Sequence, residues 1–258
     1  MNYVGIDIGS TASKVSVIGD ENYNFVSPTG WSSKEVASDI KTRLLERGID
    51  VTSDQTRVTA TGYGRVSVDY ADFIITEITC HARGARVLSG SDNLAVIDVG
   101  GQDTKAILIE DKLVSEFQMN DKCSAGTGKF IEVMANKLGL GIDELFDLAK
   151  IGEPIAISSM CTVFAETEIT SLIGEGRKKE DIAAGIVGSV AQKVRQMYNK
   201  IGDSDELILT GGLSNVSYFA EVLSDLIGKE VKNVENGQFA GSLGAAYLAK
   251  EKKKRWMK

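Results

Sequence analysis

The stretches YVGIDIGSTASKVSVI (residues 3–18) and AVIDVGGQDTKAILI (residues 95–109) repeat one pattern, D-[I/V]-G-x-x-x-[S/T]-K. The matched residues are Asp7 with Asp98, Gly9 with Gly100, Ser13 with Thr104, and Lys14 with Lys105. In both copies β-branched residues flank the glycine loop, which is typical of a strand, a tight turn and a second strand. Two matched hairpins predict two related domains.

The chemistry of the repeat favours phosphate binding. Glycines let backbone N–H groups approach phosphate oxygens, and consecutive N–H groups form an anion-binding nest. Lys14 adds positive charge, while Asp7 and Asp98 at the strand ends are candidates for holding Mg²⁺ through water. The predicted phosphate-binding residues are Gly9, Ser10, Thr11, Ala12, Ser13, Lys14, Gly100, Gly101, Gln102 and Asp103. The alternative interpretation is two ordinary glycine hairpins with surface aspartates.

Other segments fit a layered α/β plan. SSKEVASDIKTRLLERG predicts an amphipathic helix with Ser32 as its N-cap and Gly48 as its stop. A longer helix is expected over residues 180–201, where apolar side chains recur on one face. ELILTGGLSN (residues 206–215) predicts a buried strand, a glycine turn and a helix, and GQFAGSLGAAYLAK (residues 237–250) predicts a helix of small residues.

Composition narrows the classes of function. The chain has 258 residues, 43% of them hydrophobic, and 29 basic against 36 acidic residues give a net charge of −7. This acidic balance argues against generic nucleic-acid binding. We expect no membrane span, because no apolar run approaches 18 to 20 residues, and a cytoplasmic location, because a signal-peptide pattern is absent. The basic C-terminal stretch KKKRWMK is expected to be a frayed, solvated tail.

The three cysteines, Cys80, Cys123 and Cys161, are too few and too widely spaced for a disulfide framework. The stretch NDKCSAGTGKF (residues 120–130) resembles a P-loop only superficially. Cys123 stands where the first required glycine should be, and Phe130 stands where the Mg²⁺-binding hydroxyl should be. The P-loop interpretation therefore fails.

Cys123 and Cys161 are each predicted to open a helix, the second within SSMCTVFAETEITSLIGEG (residues 158–176). A helix N-terminus presents unpaired N–H groups and a positive dipole end, which stabilise thiolates and anionic iron–sulfur centres. A [4Fe–4S] cluster usually takes four cysteines, so a two-fold dimer would have to supply the other two. Buried structural thiols are an equally weighted alternative from spacing alone, and a shared interfacial zinc is a less favoured one.

Cys80, in TEITCHARGA (residues 76–85), lacks the glycine and serine context of the other two cysteines. It lies where a predicted strand gives way to a helix. We expect a buried structural thiol there, and a structural role for its neighbour His81. As the single histidine of the chain, His81 makes a histidine-based metal site improbable.

The two phosphate loops followed by TGG after a late strand resemble the actin, hexokinase and Hsp70 superfamily. This resemblance implies an α/β protein with two related actin/hexokinase-like (ribonuclease H-like) domains and ATP in the cleft between them. The first domain would comprise residues 1–92 and 238–258, and the second residues 93–237. Gly211 and Gly212 would belong to the adenosine loop, and Gln238 would meet the nucleotide where the chain returns between the domains.

Five motifs in one order, GIDIGSTASK, DVGGQDTK, NDKCSAGTGKF, SSMCTVFAETE and TGGLSN, resemble the activator ATPases of (R)-2-hydroxyacyl-CoA dehydratases, the "archerases". The related activating subunits of benzoyl-CoA reductases are similar. The match runs from about Gly5 to Leu248. It implies a homodimer that carries one [4Fe–4S] cluster, with Cys123 and Cys161 of each chain as ligands.

The resemblance also implies the reaction. Ferredoxin or flavodoxin would reduce the cluster by one electron, and ATP binding and hydrolysis would rearrange the dimer so that the electron passes to a separate dehydratase or reductase. Gln102 would orient the attacking water, and Asp7 and Asp98 would hold Mg²⁺. The catalytic residues are thus predicted to be Asp7, Asp98 and Gln102.

Two other classes stay open on the sequence. A small-molecule kinase of the same fold would need a carboxylate base, for which Asp121 and Glu166 are the candidates. Each of these residues adjoins a cysteine motif that a sugar kinase has no reason to carry. A non-enzymatic ATP-dependent sensor or scaffold is the third class, in which the cysteines would be incidental.

Overall fold

The computed structural model describes residues 1–158 and 161–252. The basic stretch after Lys252 and the middle of the SSMC motif, for which predictions were made, lie outside the described residues. The chain folds into two compact units. The first comprises Met1–Asn93, Ile109–Val114 and Glu235–Lys258, and the second comprises Leu94–Leu108 and Ser115–Val234.

The first sheet has five strands in the order β3-β2-β1-β4-β5. Its strands are β1 (Asn2–Ile8), β2 (Ala12–Ile18), β3 (Tyr23–Pro28), β4 (Thr56–Thr61) and β5 (Phe73–Ile74). Strands β1, β2 and β3 are antiparallel neighbours, whereas β4 and β5 run parallel to β1. The alternation of apolar residues in β1 and β2 lets their buried side chains contribute to one core, because successive residues of a strand face opposite sides.

The second sheet has the order β10-β9-β6-β7-β8. Its strands are β6 (Leu94–Val99), β7 (Thr104–Glu110), β8 (Leu113–Asn120), β9 (Leu207–Gly211) and β10 (Lys232–Asn233). When this order is read from the β8 edge, each strand of the first sheet has a counterpart numbered five higher at the same place. The predicted duplication is therefore confirmed at the level of strand topology, with the two glycine loops joining β1 to β2 and β6 to β7.

Helices follow the strands, as the α/β pattern predicts. They are α1 (Ser33–Glu46), α2 (Glu77–Ser89), α3 (Gly128–Lys137), α4 (Ile142–Ala149), α5 (Thr162–Gly174), α6 (Lys179–Tyr198), α7 (Ser217–Ile227) and α8 (Ala240–Glu251). The predicted cap of α1 is confirmed, since Ser32 accepts a hydrogen bond from the Glu35 N–H at 3.3 Å and Gly48 is left-handed at φ 78°. Within the described ranges, no helix combines the length and apolar character needed to cross a bilayer.

Helix α8 packs closely against its neighbours in the first unit. Glycines at these contacts bring the backbones so near to each other that a side chain would not fit between them. A Cβ at Gly5 of β1 would overlap the Ser242 carbonyl oxygen, and a Cβ at Gly244 would overlap the Cys80 carbonyl oxygen. A Cβ at Gly84 of α2 would likewise overlap the Ala240 carbonyl oxygen. The predicted small-residue helix is confirmed, and it fixes α2 against β1 with little freedom to shift.

Candidate active site

The first glycine loop, between β1 and β2, is braced by the end of β3. Thr29 donates its hydroxyl to the Gly9 carbonyl oxygen at 2.7 Å, and its backbone N–H donates to the Thr11 carbonyl oxygen at 3.2 Å. The Ser13 hydroxyl is fully buried and lies 2.8 Å from the Thr29 hydroxyl. Ser13, predicted to bind phosphate, therefore uses its hydroxyl to hold the loop, while Ser10 and Thr11 remain accessible.

Lys14 lies beside this loop. A Cβ built on Gly9 would be 3.8 Å from the Lys14 Nζ and 2.8 Å from the Ala12 carbonyl oxygen. A Cβ at Gly9 would thus crowd the loop backbone, and it would lie in ordinary van der Waals contact with the amine. Within residues 1–158 and 161–252, Lys14 takes part in no ion pair. Its charge is therefore available to an anion bound at the loop.

The second glycine loop, between β6 and β7, holds its lysine differently. Lys105 is 2% exposed, and its Nζ lies 3.3 Å from Asp98 Oδ2 and also bonds to the Asp103 carboxylate. Asp98 is equally buried and accepts a 2.8 Å hydrogen bond from the Thr210 hydroxyl. Lys105 thus neutralises two carboxylates inside the unit. Gln102 is exposed at the tip of the loop.

Asp7 occupies the position in β1 that Asp98 occupies in β6. It is 7% exposed and pairs in register with Lys14 of β2 and Thr61 of β4. A Cβ added at Gly62 would be 2.5 Å from Asp7 Oδ1. The Asp7 carboxylate is therefore closely surrounded, although no lysine of the described segments forms an ion pair with it.

The predicted adenosine loop follows β9. Gly211 has φ 81°, and a Cβ there would overlap the Val99 carbonyl oxygen of β6, so this position requires glycine. Gly212 is exposed and begins the 3₁₀ turn Gly212–Asn215, which the Ser214 hydroxyl closes by donating to the Gly211 carbonyl oxygen at 2.7 Å. Gln238 lies half-buried in the 3₁₀ turn Gly237–Phe239 of the first unit.

Cys123 does not stand at a helix start, so that prediction is wrong. Helix α3 begins at Gly128 with Thr127 as its N-cap, and a turn closed by the Thr127 N–H on the Ser124 carbonyl oxygen (3.0 Å) separates it from the cysteine. The N–H groups of Gly128 and Lys129 donate to the carbonyl oxygens of Gly100 and Gly101 at 3.0 and 2.7 Å. The start of α3 therefore faces the second glycine loop.

A third hydrogen bond joins this loop to the cysteine turn, which we define as residues 123–127. The Thr104 hydroxyl donates to the Gly126 carbonyl oxygen at 2.6 Å, and Gly126 has φ 84°. Asn120 closes the turn from the other side by donating to the carbonyl oxygens of Cys123 (2.8 Å) and Ala125 (2.9 Å). The turn that presents the Cys123 thiol is thus fixed directly to a predicted phosphate loop.

Cys161 matches its prediction, because it is the N-cap of α5 and its carbonyl oxygen accepts from the Ala165 N–H at 2.9 Å. The hydroxyls of Ser124 and Thr162, each the residue after a cysteine, lie 2.6 Å apart. Both cysteines are exposed free thiols, so the two cysteine segments meet at the surface. Phe164 of α5 is 68% exposed, whereas Ile169 of the same helix is buried in the core.

Cys80 is buried in α2, as predicted, and burial raises the pKa of its thiol to about 12. It is therefore a thiol and not a thiolate at neutral pH. His81 is buried next to it, with Nε2 3.9 Å from Asp7 Oδ2. The expected structural character of Cys80 is confirmed, whereas His81 adjoins a predicted catalytic carboxylate that lies far from it in sequence.

One chain offers two exposed thiols, half the number that a four-thiolate cluster would take. Across the part of the chain that the structure describes, no three His, Cys, Asp or Glu side chains are grouped as metal ligands. Two exposed thiols on hydrogen-bonded segments suit a group that is shared between two chains. The residues present therefore fit a [4Fe–4S] cluster only if a second copy supplies two more cysteines.

Sequence reasoning missed the residues that brace the loops. Thr29 and Thr104 hold the first and second glycine loops, and Thr162 joins the two cysteine segments. One signal was present: the pattern's [S/T] position is Ser13 in one copy and Thr104 in the other, and both hydroxyls bond to a neighbouring segment. Both copies of the pattern thus use the hydroxyl at this position as a brace.

The chain is similar to known ATPases along nearly its whole length. A model of the BadF/BadG/BcrA/BcrD ATPase family matches residues 4–249. The (R)-2-hydroxyglutaryl-CoA dehydratase activating ATPase of Acidaminococcus fermentans is 40% identical over 254 residues, which cover 96% of this chain and 97% of that protein. The similarity therefore extends over both compact units.

Two solved structures are similar over nearly the whole chain. Component A of the Acidaminococcus fermentans (R)-2-hydroxyglutaryl-CoA dehydratase superposes with a TM-score of 0.89 at 38% identity, covering 97% of this chain and 98% of that one. The activator of the Clostridium difficile 2-hydroxyisocaproyl-CoA dehydratase, solved with bound ADPNP, gives 0.87 at 34% identity, covering 97% and 96%. With its duplicated sheet and its two glycine loops, the chain has the actin/hexokinase-like fold and belongs to the BadF/BadG/BcrA/BcrD ATPase family.

Proposed function

We propose that this ATPase activates a 2-hydroxyacyl-CoA dehydratase or a related reductase by delivering a low-potential electron from ferredoxin or flavodoxin. The similarity to relatives named as dehydratase activators supports the partner class. The observation that carries the proposal is the attachment of the cysteine turn to the second glycine loop through Thr104, Gly128 and Lys129. A nucleotide loop that is bonded to a thiol loop is what an ATP-gated electron carrier requires.

Nucleotide binding in this proposal uses the accessible parts of both loops. The backbone N–H groups of residues 9–12 and the Lys14 amine bind phosphate in the first unit, and residues 100–102 do so in the second. Exposed Gly212 offers backbone to the adenosine, and Gln238 contacts the nucleotide from the first unit. The bound ADPNP in the similar dehydratase activator supports nucleotide binding by this chain.

Hydrolysis converts ATP and one water to ADP and phosphate. Gln102, exposed at the loop tip, orients the attacking water. Asp7 and Asp98 hold Mg²⁺ through its water ligands. Asp98 is already bonded to Lys105 and Thr210, so Asp7 carries the larger share of this task.

The electron-transfer part of the proposal rests on Cys123 and Cys161. We propose that the chain is a homodimer in which both cysteines of each copy hold one shared [4Fe–4S] cluster. The chemistry that the bound cluster supplies is the gain of one electron from reduced ferredoxin or flavodoxin and its loss to the partner enzyme. The chain's own contribution is to expose both thiols on segments joined by the Ser124 and Thr162 hydroxyls.

In this proposal, the nucleotide is coupled to the cysteine turn through a shift between two conformations of the protein. A nucleotide changes a conformational equilibrium only if it binds one arrangement better than another. Because the Gly100 and Gly101 carbonyl oxygens accept the first N–H groups of α3, a change at this loop on loss of the γ-phosphate moves α3 and the cysteine turn together. No long relay is needed between the phosphate and the thiol.

Anaerobic purification followed by iron and acid-labile sulfide assays tests the proposal. We expect a brown dimer with about four iron atoms per two chains. Cys123→Ser and Cys161→Ser should each lose the iron and keep ADP affinity within a few-fold, whereas the matched control Cys80→Ala should keep both. A wild-type protein that stays colourless and iron-free after reconstitution with iron and sulfide would overturn the cluster assignment.

The small-molecule kinase is not favoured. Of its two candidate bases, Glu166 lies 3.6 Å from the Lys137 amine as an ion pair on the surface of the second unit. Asp121 is exposed two residues before Cys123. Neither carboxylate is placed in a substrate pocket by the described contacts, and two proteins similar over nearly the whole chain are named as a dehydratase activating ATPase and a dehydratase activator.

A further inference from the structure

His81 of α2 lies in the buried surroundings of Asp7, and the proposed function does not use it. His81 points its Nε2 at Asp7 Oδ2 across 3.9 Å, and the two side chains are 8% and 10% exposed. A Cβ at Gly241 would lie 2.5 Å from Asp7 Oδ2 and 2.9 Å from the His81 Nε2. Only a residue without a side chain at position 241 therefore leaves the imidazole and the carboxylate facing each other.

The scaffold holds this pair rigidly. His81 belongs to α2, and the backbone of α2 touches that of α8 at Gly84 and Gly244, where any Cβ would overlap a carbonyl oxygen of the other helix. Gly5, two residues before Asp7, is pressed against α8 in the same way. The imidazole and the carboxylate are thus carried on elements that pack against one common helix.

In the second unit, neighbouring side chains hold both carboxylate oxygens of the equivalent aspartate. Asp98, the counterpart of Asp7, is oriented by Lys105 on one oxygen and Thr210 on the other. At Asp7 the matching lysine is placed differently, because the Lys14 amine lies beside Gly9. The histidine of α2 is the side chain that faces Asp7 Oδ2 instead.

We infer that His81 is a positioning residue that orients the Asp7 carboxylate for the hydrolysis of Mg²⁺-bound ATP. This inference rests on the proposed role of Asp7. The separation of 3.9 Å exceeds a hydrogen bond, and a movement of about 1 Å brings Nε2 to bonding distance. Catalytic contacts of this kind often tighten only in the complex with substrate.

A side chain that orients a metal-associated carboxylate affects turnover and metal dependence more than nucleotide binding. Outer-shell partners of this type change metal affinity or activity by about 10- to 100-fold. His81 lies on α2, outside the glycine loop. Its removal should therefore lower kcat and raise the Mg²⁺ concentration for half-maximal activity, with the KM for ATP nearly constant.

The experiment measures steady-state ATP hydrolysis by the full chain for His81→Leu and His81→Gln. His81→Leu should lower kcat by about 10- to 100-fold and raise the half-maximal Mg²⁺ concentration, with KM for ATP within about three-fold. His81→Gln, which keeps an N–H donor near the place of Nε2, should recover most of the lost kcat. Cys80→Ala is the matched control, a buried change in the same helix, and should leave kcat unchanged.

The variant Asp7→Asn distinguishes the proposed role of Asp7 from the inferred role of His81. If Asp7→Asn hydrolyses ATP normally, the proposed role of Asp7 is wrong. If Asp7→Asn is inactive while His81→Leu keeps the wild-type kcat and Mg²⁺ dependence, the inference about His81 alone is overturned. Equal loss in His81→Leu and Cys80→Ala, with matching drops in melting temperature, would also overturn it, because packing would then explain the effect.

Discussion

In the first glycine loop the lysine lies beside the loop and outside every ion pair of the described residues, and in the second the equivalent lysine is buried between two carboxylates. The loops share a sequence pattern, and their strands share a place in the two sheets. The two copies therefore share a backbone arrangement but differ in the ion pairing of their lysines. Lys14 lies outside the ion pairs of the described residues, whereas Lys105 is held by Asp98 and Asp103.

The threonines that hydrogen-bond to the two loops also differ in the segments that they connect. Thr29 ties the first loop to the end of its own sheet, but Thr104 ties the second loop to the cysteine turn. The second loop is thus bonded to the segment that carries a thiol, and the first is bonded to a strand end. In the proposed function both loops bind phosphate, and the second loop is in addition bonded to the cysteine turn.

The largest expected effect is on stability. Lys105→Met leaves Asp98 and Asp103 without their cation, and an uncompensated buried charge costs about 3–5 kcal/mol. Lys14→Met removes an amine outside the ion pairs of the described residues and should change the free energy of unfolding by less than about 1 kcal/mol. Chemical denaturation of the nucleotide-free protein measures both values. Equal losses of unfolding free energy would show that the two lysines do not differ in ion pairing as described.

The next effect is on nucleotide affinity. Lys14→Met should weaken ADP binding by about 10- to 100-fold, because a hydrogen bond between charged groups is worth about 1.5–3 kcal/mol. Isothermal titration calorimetry measures the change, and Lys200→Met, at an exposed lysine beyond α6, controls for loss of net charge. An unaltered affinity for ADP in Lys14→Met would show that the Lys14 amine does not bind the phosphate.

A smaller effect is expected at the brace between loop and cysteine. Thr104→Val leaves the Gly126 carbonyl oxygen without its donor and should cost about 1–2 kcal/mol of stability. In iron-free protein, nucleotide should alter the alkylation rate of Cys123 in the wild type, and Thr104→Val should reduce that response. Thr29→Val, which loosens only the first loop, is the control and should keep it. A response that survives in Thr104→Val would show that the coupling takes another route.

The smallest effect concerns the buried thiol. Burial raises the pKa of Cys80 to about 12 from 9.0, so between these values the unfolded chain loses the proton while the folded chain keeps it. The unfolding free energy therefore falls as pH rises above about 9, and Cys80→Ala should remove this part of the slope. Under native conditions at about pH 8, the exposed thiols of Cys123 and Cys161 should be alkylated while the buried thiol of Cys80 is protected. Alkylation of all three at one rate would contradict the burial of Cys80.

Local features of the fold followed from sequence because they depend on neighbouring residues. Ser32 caps α1, and Gly48 ends it, through contacts within a few positions along the chain. The two glycine loops were predicted for the same reason, since strand, turn and strand are adjacent. The predicted helix over residues 180–201 was correct in type but ends at Tyr198, because helix ends depend on weak local preferences.

The cysteine motifs were recognisable from sequence, but their geometry was not. The spacing predicted a helix start at both thiols, and only Cys161 has one. At Cys123 the helix is delayed to Gly128, because the first N–H groups of α3 are satisfied by the carbonyl oxygens of Gly100 and Gly101. Those partners are distant in sequence, so no local pattern could have indicated the displacement.

The sequence by itself determined the duplicated α/β architecture, the family and the residue types available for phosphate and metal. The tertiary structure decided which of two matching lysines is held by carboxylates, which carboxylate faces His81, and which loop holds the cysteine turn. The physical reason is that charge pairing and hydrogen bonding depend on distance in space. A repeated pattern specifies the same backbone twice, while neighbours from α2, β9 and α3 give each copy its own electrostatic surroundings.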